Sequence, residues 1–282
     1  MRTGNVVLVF VCTVAVVAAV AVAWRGRRLP TVVPRPTPSS ASSAAFDALR
    51  TLAVVLTAGF IAGLLVVGLG GRLVMRVLAA TSGAGAQGRT TDAGERVGEI
   101  TFGGSVGFFI FAGLIIPLAS SLVFIPLRRI LPRPAWIAGL LFGLLLLATF
   151  GVSDPLSPDN RDFVILSPLW LAVTLVCITA LLFGMTFSAL VARLDATVVP
   201  LNQLRTDALR RRKVAYLSLV WLLLAFPLAA PATVYVAGRT LLHGRLAPAI
   251  DSSPLRVAGY AVVAVGAFVA AGAVYAALTD IV

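Results

Sequence analysis

Two arginines and three carboxylates form the most compact set of groups in this chain whose types and spacing suggest a chemistry. Arg72 and Arg76 are four residues apart, hence on one face of a helix. Asp92, Glu95 and Glu99 follow at intervals of three and four, again one face if that segment is helical. Ion pairs from the arginines to Glu95 or Glu99 would fold the intervening loop as a cap. The carboxylates could also ligate a divalent cation, but they do not have the spacing of a calcium loop. The plainer reading is a set of solvated or snorkelling boundary charges. Gly70-Gly71 and Gly103-Gly104 bracket the stretch. Paired glycines allow close backbone approach, and they equally suit ordinary helix ends.

Other chemistry is sparse. There is no phosphate-binding Gly-Lys-Ser/Thr loop, no His-Glu-x-x-His and no Gly-x-Ser-x-Gly elbow. His243 and Asp251 could pair as acid and base, but a lone loop histidine is ordinarily a surface residue. Cys12 and Cys177 lie inside apolar runs and read as small packing residues, not as a disulfide or a metal pair. The expectation is therefore no catalytic residue, no metal and no cofactor, which argues against an enzyme.

The elements that position these residues are membrane-like. Of 282 residues, 59% are hydrophobic and 12% charged, with a mean hydropathy of +1.00, whereas soluble domains carry about 25% charged residues. Apolar runs cover 5–24, 50–71, 103–127, 135–152, 164–191, 214–237 and 255–278. They lack the period-two alternation of a barrel strand. The sequence predicts an all-α fold, a polytopic helical membrane bundle of about seven transmembrane helices. Residues 1–24 read as an N-terminal transmembrane helix, 25–49 as a Pro/Ser-rich cytoplasmic linker that tethers it loosely, and 50–282 as a six-helix bundle. Ala21-Val22-Ala23 resembles a signal-peptidase site, but the arginines that follow favour an uncleaved anchor. Gly59–Gly63, Gly103–Gly107 and Gly139–Gly143 are small-xxx-small packing patterns.

Prolines mark the expected helix bends: Pro117 in the third run, and Pro227 and Pro231 in the sixth. Ser120 and Ser121 are candidates to re-satisfy the backbone around Pro117. A broken sixth helix would suit a transporter. The absence of Asp, Glu, Lys or Arg from the middle of any run counts against an ion-coupled carrier.

The net charge is +12. Most basic residues flank apolar runs, so the partners implied are the lipid bilayer and anionic lipids at cytoplasmic basic loops, not nucleic acid. Seven alternating spans with the N-terminus outside place fourteen basic residues inside and nine outside. The positive-inside rule then predicts a cytoplasmic C-terminus. Of the basic residues only Lys213 is a lysine, a bias in keeping with a high-GC bacterial genome.

Gly70-Gly71-Arg72-Leu73-Val74-Met75-Arg76, with Thr91 to Glu95 and Gly98 to Thr101, resembles segments of uncharacterised multi-pass membrane proteins of actinobacteria. The resemblance covers roughly 50–130 and implies a bacterial plasma-membrane setting, with no activity or cofactor attached. The leading functional reading is a structural, regulatory or partner-binding membrane protein. A small transporter for a neutral or lipid-like solute is the alternative, and an enzyme acting on a lipid-linked substrate ranks third.

Overall fold

The apolar runs fold as helices. The computed structural model describes residues 3–31, 40–92, 94–99, 101–152, 156, 160, 162–198, 229–242 and 253–281. Its principal helices are α1 (Thr3–Gly26), α2 (Ala41–Thr81), α3 (Phe102–Leu127), α4 (Ala135–Gly151), α5 (Leu169–Thr197), α6 (Ala229–Leu241) and α7 (Ser253–Ile281). No strand occurs among the described residues, only two isolated bridges. Helices α1, α2, α3 and α5 are long and apolar enough to cross a membrane, and α4 is a shorter apolar helix.

The spine is α2, capped at Ser40, whose hydroxyl accepts from the Ser43 N–H at 3.2 Å. Its 41 residues reach about 60 Å, twice a bilayer's hydrocarbon core of roughly 30 Å. Arg50 and Arg72 lie on it about 33 Å apart, so the two charges bracket one membrane thickness. The helix therefore extends well beyond the apolar run at both ends, and the proline-rich linker is shorter than 25–49. Its beginning is also pinned. Thr31 donates its N–H to Arg133 O at 2.9 Å, and Ala135 donates to Leu29 O at 3.0 Å.

The expectation of a loosely tethered α1 is corrected. Cys12, Ala15, Ala19 and Ala23 are buried, and Thr186 Oγ1 donates to Ala19 O across the interface with α5 at 3.2 Å. A side chain at Gly26 would come within 2.5 Å of Ala189 Cβ. Small residues on one stripe let this helix approach its neighbours closely.

Two of the three small-residue patterns are crossing points. At α4–α5, a Cβ on Gly139 would meet Gly184 O at 2.6 Å, and one on Gly143 would meet Ala180 O at 2.7 Å. At α2–α3, a Cβ on Gly63 would strike Gly113 O and Pro117 Cβ at 2.6 Å. The third pattern is not a crossing, because Gly103 and Gly107 have nothing within 4 Å.

Pro117 follows a π-helical turn, Phe111–Ile115, in which Ile116 donates to Phe111 O. A wider turn before the proline relieves its ring of the clash with the carbonyl four residues back. Ser120 and Ser121 bond instead to their own preceding turn, at Ile116 O (2.8 Å) and Pro117 O (2.6 Å). A second π-helical segment, Gly63–Gly70 in α2, faces this one: Gly113 and Gly68 approach so closely that a Cβ on the former would lie 3.2 Å from Gly68 Cα. Pro227 lies outside the described residues, and Pro231 is exposed near the start of α6.

Charged contacts show which helix ends lie together. Helix α5 finishes beside Arg50, which binds Asp195 and Val198 O. Arg239, near the end of α6, binds Asp47 on the same end of α2 at 3.0 Å. Residues 198 and 239 therefore lie at one end of the bundle. In α7, Val274 packs with Leu147, Leu156 and Val173 at the opposite end. Its C-terminal part thus lies beside Leu156. The run at 214–237 lies mostly outside the described residues.

The two kinds of glycine should respond differently to substitution. Gly184→Leu should cost about 3 kcal/mol or more through overpacking, while Gly107→Ala should be close to neutral. Thermal unfolding of the purified protein in detergent checks both.

Candidate functional site

The charged groups gather at the two ends. At the basic end, Arg50 uses three donors on the end of α5. Its Nη1 meets Asp195 Oδ1 at 2.9 Å, its Nη2 meets Asp195 O at 2.8 Å, and its Nε meets Val198 O at 2.7 Å. Val198 O also accepts from Nη2. The last carbonyls of a helix have no partner within it and carry partial negative charge, so the planar guanidinium caps α5 and pairs with its carboxylate together. Arg128, at the end of α3, brings Nη2 to 3.6 Å from Asp195 Oδ2. All three side chains are buried.

A closed aromatic cluster lies further along the bundle, with Phe124 four residues from Arg128 and Phe187 eight from Asp195. Phe124 is edge-on to Phe142 and to Phe187, with centroids 4.9 Å apart in each pair, and Phe183 stacks on Phe187. The cluster joins α3, α4 and α5. Within such surroundings a broken pair leaves an uncompensated charge.

At the acidic end, the loop from Ser82 to Thr101 folds back on itself through a bridge between Thr90 and Arg96. Val97 donates its N–H to Arg89 O at 2.9 Å, and Thr91 donates to Glu95 O at 2.8 Å, with Gly94 at φ 78° between them. Val97, Ala86 and Ile165 form a small buried cluster beneath it. The loop is tied to its neighbour: Asp92 donates its N–H to Asp162 Oδ1, and Ser167 donates to Ser82 Oγ, both at 2.9 Å.

The five residues singled out in the sequence meet around this loop by other contacts than those expected. Arg76 Nη1 donates to Gly98 O at 3.4 Å. The Arg72 guanidinium lies 5.0 Å above the Phe108 ring and has Glu95 as an electrostatic neighbour. Glu95 accepts from Thr101 Oγ1 at 2.9 Å, and the same hydroxyl caps α3 by accepting from Gly104 N–H at 3.1 Å. Glu99 faces Arg96 at 3.9 Å, with both side chains more than half exposed. Among the described residues no ion pair joins Arg72 or Arg76 to Glu95 or Glu99. The carboxylate of Glu95 instead faces the first turn of α3, where the helix dipole favours negative charge. No group of three or more metal-ligating side chains occurs among the described residues.

Sequence reasoning passed over Asp47, Arg50, Arg128, Asp195, Tyr235 and Arg239. One signal was present: Asp47 and Asp195 are carboxylates set among basic flanks, where a charge bias alone would leave none.

Asp195→Asn removes the carboxylate shared by two buried arginines and should cost about 3–5 kcal/mol. Adding Arg50→Met to Asp195→Leu should recover part of that loss, since neither member of the main pair is then stranded. Arg96→Ala at the exposed pair should change stability by less than about 1 kcal/mol. Denaturant unfolding in detergent ranks the three.

The chain matches no family model, no curated protein and no solved structure with which it was compared.

Proposed function

We propose that this chain is a multi-pass protein of the bacterial plasma membrane that acts through its two ends, binding partners in a structural or regulatory role. One observation carries this reading. Among the described residues the charged side chains lie at the ends, while helix crossings at glycine and the Phe124–Phe142–Phe183–Phe187 cluster fill the interior between them. Carriers driven by ions place a titratable group in their pathway. The folded loop at the acidic end presents Arg89, Arg96, Glu99 and Phe102 outward, with Phe102 86% exposed. At the opposite end the partners are anionic lipids.

We infer an orientation from the contacts at the two ends. With the basic end cytoplasmic, Val198 and Arg239 are both on the cytoplasmic side, and the C-terminal part of α7 is outside. Arg239 then moves to the cytoplasmic side, so fourteen basic residues against nine becomes fifteen against eight, in the direction of the positive-inside rule.

A second reading has its own observation. The facing π-helical segments Gly63–Gly70 and Phe111–Ile115 are of a kind often found at functional sites. They suit a carrier for a neutral or lipid-like solute.

Alkaline phosphatase fused after Val282 should be active in intact cells, and a fluorescent protein fused there should stay dark. The opposite pair of results would restore a cytoplasmic C-terminus. A photo-crosslinking residue at position 96 should give a discrete adduct in cells, whereas one at the exposed Phe268 should capture only lipid. Saturable solute flux in proteoliposomes, lost on Gly113→Leu, would favour the carrier instead.

A further inference from the structure

Where α1 ends and α4 begins, two short segments run side by side. Thr31 donates its N–H to Arg133 O at 2.9 Å, Ala135 to Leu29 O at 3.0 Å and Trp136 to Arg27 O at 3.4 Å. Arg25, Arg27, Arg28, Arg133, Trp24 and Trp136 thus belong to one junction. The Arg27 guanidinium lies 3.6 Å from the centre of the Trp24 ring, and its Nη1 is buried with no hydrogen-bond partner. Trp24 is 67% and Trp136 43% exposed, and Arg25, Arg28 and Arg133 are exposed as well. Among the described residues no ion pair joins any of these arginines to a carboxylate. No Asp or Glu occurs from 1 to 46 or from 100 to 153. The carboxylates described at this end are engaged elsewhere, Asp195 by Arg50 and Arg128, and Asp47 by Arg239.

We propose that this junction docks on the anionic face of a phospholipid bilayer, with Trp24 and Trp136 in the interfacial layer and the arginines on headgroup phosphates. Charge complementarity carries the choice of partner. Arginines without a carboxylate to neutralise them attract a negative surface, and the edge of a guanidinium matches phosphate oxygens. Stacking on a ring uses the face of the guanidinium and leaves its edge donors for the phosphate. The exposed indoles separate a membrane from a soluble anion. Tryptophan joins an apolar body to a polar tip, which suits the boundary between lipid and water. Helix α1 is long and apolar enough to cross the membrane, and it ends at Gly26, inside the junction. The proposal deepens the lipid contact at the basic end and rests on the membrane reading above, but not on protein partners at either end.

The test reconstitutes the full-length protein in mixed vesicles of phosphatidylglycerol and phosphatidylcholine. Three variants keep one tryptophan each: Trp24, Trp136 or, at the opposite end, Trp170, with Trp221→Phe common to all. One lipid or the other carries brominated chains, which quench nearby indole fluorescence. Brominated phosphatidylglycerol should quench Trp24 and Trp136 at least about threefold more effectively than brominated phosphatidylcholine at the same mole fraction. The two lipids should quench Trp170 alike. Arg25→Gln, Arg28→Gln and Arg133→Gln together, all at exposed positions, should bring the ratio at Trp24 and Trp136 close to one. Equal quenching by the two lipids at Trp24 and Trp136 overturns the proposal, as does a preference that survives the three arginine changes. In the chain with its natural tryptophans, phosphatidylglycerol should raise the thermal unfolding midpoint in neutral detergent more than phosphatidylcholine does. The same three arginine changes should abolish that difference, and an equal rise with both lipids overturns the proposal without any tryptophan variant. Failure of the membrane reading would show separately, as indoles that neither brominated lipid quenches.

Discussion

The arrangement depends on one buried contact, the Arg50 guanidinium on the end of α5. It joins the start of the longest helix to the end of another and draws Arg128 of α3 to the same carboxylate. Lysine could not replace it, because the contact uses donors fixed in a plane on two carbonyls and a carboxylate at once. Burial of a charge pair is weak ground for net stability, since desolvation offsets most of the attraction. What the contact provides is register. A helix that slid by one turn would leave an arginine and an aspartate facing phenylalanine, a penalty that no repacking of apolar side chains could offset.

That constraint explains why some features could be read from residue types and others could not. The third and fourth apolar runs match α3 and α4 within a residue or two, because transfer of apolar side chains is a local property of the chain. The ends of α2 were read too short, since helix propensity carries it past the apolar run at both ends. The packing of α1 was hidden by its composition: alanines on one stripe are equally suited to lipid or to a neighbouring helix. The loop at the acidic end shows a similar division. Its polarity and turns were visible, but Arg76 finds a backbone carbonyl and Arg72 an aromatic face. Backbone acceptors are present at every position, so charge spacing could not single out Gly98.

The glycines and π-helical segments concern a different constraint. Helices in lipid gain little from burying apolar side chains against one another and depend on close packing. Gly139, Gly143 and Gly184 let α4 and α5 touch backbone to backbone, and Gly63 and Gly113 do the same for α2 and α3. A proline at such a crossing would ordinarily force a kink. Here a wider π-helical turn precedes Pro117, and the widened segment lies against a second widened segment on α2. Close packing at these crossings and the bulky aromatic cluster farther along fill the interior.

The two ends are not equivalent in how they treat charge. At the acidic end each arginine near the bundle boundary is met by a soft partner, a ring or a carbonyl, and most carboxylates stay near water. At the basic end Asp195 is drawn inside to meet Arg50 and Arg128, and the half-buried Asp47 meets Arg239. A folding core built only for stability would replace such a cluster with apolar residues at little or no cost. The cluster therefore fixes the position of α2 against α3 and α5 more than it adds net stability.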